Sequence, residues 1–127
     1  MKRVKITHEF IFKASPTILY TFLTTPACLI RWFCDEVDIQ GSEYIFIWGS
    51  SSETAELVDD IEEELLRFRW DSAEDYNEFL EFRISLSPVT DETILEIVEF
   101  CDQDEVADQR VYWQSLVKSL RLEMGEN

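Results

Sequence analysis

Glu99 is the residue whose type and position best suit chemistry in this 127-residue chain. Leu95, Ile97 and Glu99 fall on alternate positions, so in an extended strand all three point to one face. A carboxyl among apolar neighbours is a candidate general acid or base. The competing reading is that the strand has left the interior by residue 99, leaving the carboxylate in water. His8, the only histidine, shares its face with Ile6 and Phe10. Its type suits proton exchange near neutral pH, but a place near a strand start equally suits a solvated or edge side chain. One histidine does not assemble a convincing Ser/His/Asp arrangement.

Other motifs are weaker. Gly49-Ser50-Ser51-Ser52 reads as a loop and lacks the lysine and following helix of a phosphate-binding turn. The acid run Asp59-Asp60-Ile61-Glu62-Glu63-Glu64 lacks the spacing of a calcium loop and reads as a solvated strand edge that discourages unwanted pairing. Cys28, Cys34 and Cys101 form no CxxC pair and are odd in number. Structural thiols in a reducing cytoplasm are expected, with neither a metal nor a cofactor.

Aromatic residues at strand spacing suggest a binding wall. Tyr44, Phe46 and Trp48 alternate with Ile45 and Ile47, and Leu66, Phe68 and Trp70 with Arg67 and Arg69. Leu80, Phe82, Ile84 and Leu86 alternate with Glu81, Arg83 and Ser85. Parity places Tyr44, Phe46, Trp48, Phe68, Trp70 and Phe82 inward, beneath Trp113 and Val117 of a final helix. Such a wall either lines an apolar pocket or fills a core.

These residues need elements to hold them. Val4, Ile6, His8, Phe10 and Phe12 alternate with polar residues, which marks a half-buried strand. Ser15-Pro16 and Thr25-Pro26 each begin a short helix, with a bend near Thr24. From Glu36 to Asp102 the pattern is one of strands, with a turn at Gly41-Ser42, a turn or bulge at Asp59-Asp60 and a polar loop at Asp71 to Asp75. No long helix intervenes, so the strands should form an antiparallel meander. Val106, Arg110, Trp113, Leu116, Val117, Leu120 and Met124 recur at three and four, which marks a helix capped by Asp102 or Asp104 and stopped by Gly125.

That order resembles the START-like domains of the SRPBCC (Bet v 1-like) superfamily, near the branch of the activator of Hsp90 ATPase. The resemblance rests on Phe12-Lys13-Ala14-Ser15-Pro16, Leu19, Phe22-Leu23-Thr24, Pro26, Leu29 and Trp32. It continues through Gly41, Tyr44, Phe46, the Leu66 to Trp70 strand, Phe82, Leu86-Ser87-Pro88, Thr93-Ile94-Leu95, and Trp113, Val117 and Leu120. Tyr112 stands where the family often has Gly, and Glu99-Phe100-Cys101 replaces a His-Ser-Gly-like strand end. The resemblance implies an α+β helix-grip fold over residues 1–127 as one domain. A curved antiparallel sheet of six to seven strands would carry two short helices after strand 1 and one long C-terminal helix. It also implies a cavity, but transfers no catalytic residues.

Net charge completes the reading. With 27 acids against 11 bases, the formal charge is −16. Nucleic acid and anionic membranes are poor partners for such a chain, since both are bound chiefly through Lys and Arg. No apolar run approaches a membrane span and no secretory signal is visible. The expected function is non-enzymatic binding of a small hydrophobic ligand between the sheet and the last helix. Alternatives are an interaction module of the Hsp90-activator type and a cyclase- or hydrolase-like enzyme using a buried Glu99. Ile11, Ile45, Ile47, Ile94, Val98 and Phe100 are apolar at outward parity, so a homodimer through that sheet face is a further expectation.

Overall fold

A computed structural model describes residues 2–126. The expected domain of residues 1–127 also takes in Met1 and Asn127, which lie outside the described residues. Strand β1 (Arg3–Phe12) runs into α1 (Pro16–Thr24) and α2 (Pro26–Leu29). Six strands follow: β2 (Glu36–Gln40), β3 (Glu43–Trp48), β4 (Ser51–Ile61), β5 (Leu65–Trp70), β6 (Leu80–Leu86) and β7 (Thr93–Asp102). A single 3-10 turn, Gln103–Glu105, leads into α3 (Val106–Glu123). The strands form one antiparallel sheet in the order β1-β7-β6-β5-β4-β3-β2.

Local chemistry accounts for the element ends. The Ser15 hydroxyl accepts from the Ile18 N–H at 3.3 Å, and Pro16 opens α1 with no N–H to waste. Asp102 and Glu105 form a reciprocal capping box ahead of α3. Gly125, at φ 85°, lets the chain leave α3 through Glu126 N–H to Arg121 C=O. The bulge expected near Asp59-Asp60 falls between Leu57 and Asp59. The serine run is not a loop as expected. Trp48 pairs with Ser51, so only Gly49 and Ser50 connect β3 to β4, with Gly49 at φ 57°. Backbone pairing overrides the polar, small-residue signal of Ser51 and Ser52.

The core lies between the concave face of the sheet and α3. Phe12, Leu19, Leu66, Leu95, Ile97 and Leu120 are among the most completely buried apolar side chains. Contacts with the first third of the chain help fix α3: Arg31 donates to the Glu123 carboxylate at 2.8 Å, and the Arg121 guanidinium stacks over Phe12. No described helix is long and apolar enough to cross a membrane.

The outer face is partly sealed by the chain itself. Phe79 packs edge-on against Phe100 with ring centroids 5.2 Å apart, and Arg67 lies over Phe79 at 4.2 Å. Beside them Glu81, only 1% exposed, accepts from both Arg67 and Arg83. Burial alone would raise the pKa of Glu81, but the hydrogen bonds from Arg83 and Arg67 outweigh it and hold the carboxyl below its usual range. Val98 is buried in the same region. Of the apolar residues at outward parity, Ile11 is therefore the one that stays well exposed, at 46%.

Candidate functional site

The site begins with a step in the sheet. The β5–β6 ladder ends at Phe68 opposite Leu80, so Trp70 runs on beside Ala55 of β4 with no β6 partner. The β6–β7 ladder ends at Glu81 opposite Val98, so Glu99 runs on beside Ile6 of β1, also with no β6 partner. β6 is thus too short to fill the sheet between Trp70 and Glu99. The notch it leaves opens a cleft of about 230 Å³ beneath α3.

Five rings border that cleft: Phe33 from the turn after α2, Trp48 from β3, Trp70 from β5, and Tyr112 and Trp113 from α3. The rings support one another. Phe33 meets Trp48 edge-on at 5.6 Å and Trp113 in a stacked arrangement at 6.2 Å. Trp48 donates its indole N–H to the Phe33 carbonyl at 2.7 Å, which locks the wall in place. Trp113 is buried, and its indole N–H has no acceptor among the described residues.

The polar lining comprises Glu53, Glu99, Ser72 and Gln109. Glu99 points inward, with its side chain 13% exposed. His8 Nε2 lies 2.7 Å from the Glu99 carboxylate, and Arg110 donates to His8 Nδ1 at 3.3 Å and to the Thr7 carbonyl at 2.6 Å. Arginine only donates, so Nδ1 carries the lone pair and Nε2–H donates to Glu99. This Arg110–His8–Glu99 chain fixes the carboxylate at the foot of the cleft. His8 is 4% exposed, which corrects the expectation of a solvated histidine, although β1 is an edge strand. The register of β1 against β7, with the tilted Trp113 ring above it, buries the imidazole.

The residues nominated from parity divide into two groups. Trp48, Trp70 and Trp113 border the cleft, as does Glu99. Tyr44, Phe46, Phe68, Phe82 and Val117 lie in the packed core, where the enclosed space is about 10 Å³. The open volume thus lies at one end of the sheet rather than along the length of α3. Phe33 and Arg110 carry no parity signal that marks them for the site. Phe33 sits in a turn, and Arg110 reads as one more position of a helical stripe. A larger surface depression of about 540 Å³ shares Trp70, Ser72, Leu80 and Glu99 with the cleft and extends over Phe79 and Phe100.

A curved antiparallel sheet closed by a long C-terminal helix, with two short helices after the first strand, defines the helix-grip class. Within that class the chain belongs to the START-like superfamily, whose domain model matches residues 1–126. It is similar over 95% of its length to the solution structure of BfR322 from Bacteroides fragilis, at 32% identity and TM-score 0.69, covering 90% of that chain. It shares the fold of the Aha1 dimer from Colwellia psychrerythraea, at 21% identity and TM-score 0.79, with 98% of this chain and 99% of that one covered. It also shares the fold of the AHSA1-like protein from Aeromonas hydrophila, at 15% identity and TM-score 0.76, with 96% and 92% covered. A search among curated proteins returns no match.

Proposed function

We propose that the domain binds a small, largely apolar ligand in the cleft walled by Trp48, Trp70 and Trp113. The reading rests on one observation: a space of about 230 Å³ bordered by five rings. Flat apolar ligands match such walls, because stacking and burial contribute together. Glu99, His8 and Arg110 are engaged with one another and hold the floor of the cleft rigid. The role assigned to them is binding, not turnover.

Native mass spectrometry of purified protein, joined to a tryptophan-fluorescence titration with a neutral naphthalene probe, tests the reading. Saturable quenching is expected, and Trp70→Ala, which truncates a half-buried ring of the wall, should weaken it roughly tenfold in a variant whose fold circular dichroism confirms. No saturable binding and no copurifying molecule would overturn it.

A second reading concerns assembly. The Colwellia relative was solved as a dimer, and Ile11 pairs with Ile94 on the outer face of β1 and β7. We propose a homodimer over this small apolar area. Sedimentation at high protein concentration should show it, and Ile11→Asp should abolish it. A single monomeric species at every concentration would eliminate the reading.

A further inference from the structure

We propose that the cleft selects an organic cation: an amine or quaternary ammonium carried on an apolar body. This rests on the binding reading above and specifies the chemistry of the ligand. The described cleft lining contains two carboxylates, Glu53 and Glu99, and neither Lys nor Arg. Aromatic faces attract cations through their quadrupoles, and do so more strongly where water is excluded. Five rings with two carboxylates therefore favour positive charge and disfavour an anion of the same shape.

Among the described residues, neither carboxylate is paired directly with Lys or Arg. The described partner of the Glu99 carboxylate is the His8 imidazole, whose other nitrogen faces Arg110. Glu53 has no described hydrogen bond or ion pair to a base and stands exposed at the mouth. It falls at the same parity as Ala55 and Leu57 of β4, which turns it to the concave side. Tyr112, between them on α3, registers both charges. Burial raises the pKa of its hydroxyl, and Glu53 and Glu99 raise it further. The adjoining depression repeats the pattern. It carries Glu74, Asp75, Glu78 and Asp102 against Arg3, whose guanidinium is already bound to Glu78 at 2.5 Å and Asp102 at 3.2 Å. An approaching cation thus meets negative potential from the outer depression to the aromatic walls.

Three probes separate the terms: benzyltrimethylammonium, its uncharged isostere neopentylbenzene, and phenylacetate as an anion on the same benzyl body. Calorimetric titration is expected to rank the cation roughly tenfold tighter than its neutral isostere, with the anion weakest. Glu53→Gln and Glu99→Gln together should erase that preference while leaving the neutral probe bound. Glu9→Gln, on the outer face of β1, controls for the overall charge of −16. Circular dichroism of each variant confirms the fold, and Glu53→Gln alone, at an exposed position, keeps the test valid should the Glu99 variant unfold. Equal binding of cation and neutral probe overturns the charge preference and leaves the apolar cleft standing. An equal loss in Glu9→Gln also overturns it, since bulk charge then accounts for the effect. Binding of none of the probes overturns the binding reading itself.

Discussion

Glu81 shows how a single charged group can be held under the sheet surface. Two arginines fix its carboxylate, and both remain partly in water, which softens the cost of burial. Glu81→Gln should therefore lower stability by about 2 kcal/mol at neutral pH, read from urea unfolding. The folded pKa lies below the unfolded value, so the ionised group stabilises the fold above the ordinary carboxylate range. That contribution is lost as pH falls through the depressed value. The gap between the parent and Glu81→Gln should be widest near pH 7 and begin to close as pH falls below about 4.5. A gap independent of pH would exclude the ion pair as its source. Cys34 gives a second residue-scale expectation. Burial pushes its thiol up to about 11, with Asp35 adding to the shift. At pH 8 only about a thousandth of it is thiolate, so iodoacetamide should label the half-buried Cys28 first and Cys34 last. Parity alone puts Glu99 and His8 on inward faces. Their contact was not legible, because it depends on a pairing between strands 91 residues apart in sequence.

The elements were the most readable level. Period-two runs mark β1, β5 and β6, because one face of each is more buried than the other. Ser-Pro and Thr-Pro mark both short helices. Ser15→Ala should cost about 1 kcal/mol, since the Ile18 N–H loses its acceptor, and thermal unfolding would register the loss. The notch was not readable. Leu80, Phe82 and Ile84 announce a strand, but nothing in that pattern says where its ladders to β5 and β7 stop. The stopping point places Trp70 and Glu99 on the cleft and leaves Phe68 and Phe82 in the core. The fold also shows that β2 is an edge strand, where Glu36 and Asp38 charge an exposed edge that would otherwise invite another chain.

At the scale of the molecule, a charge of −16 on 127 residues works against compaction. Salt screens that repulsion over about 10 Å at 0.1 M. Raising NaCl from 10 mM to 0.5 M at pH 7 should raise the melting temperature by roughly 4 °C, as a gain of about 1 kcal/mol does in a domain of this size. A lower melting temperature in salt would mean that local ion pairs, such as Arg3 with Glu78, outweigh the global repulsion. The acidity was plain in the sequence. Its concentration around the cleft and the adjoining depression required the fold to bring Glu53, Glu78 and Glu99 to one end of the sheet.

The sheet order β1-β7-β6-β5-β4-β3-β2 makes the first strand neighbour of the last. Strands β2 to β7 are joined in succession to the strands beside them and can zip up as their residues meet. β1 alone must wait for a partner that arrives nearly at the end of the chain, and closing so long a loop carries an entropic cost that short hairpins escape. His8 and Glu99 sit on the two sides of that closure. During synthesis the cleft therefore has no floor until β7 is made and docked. Ligand binding would report the last step of folding, and a ligand present at that moment would hold the first and last strands of the chain together.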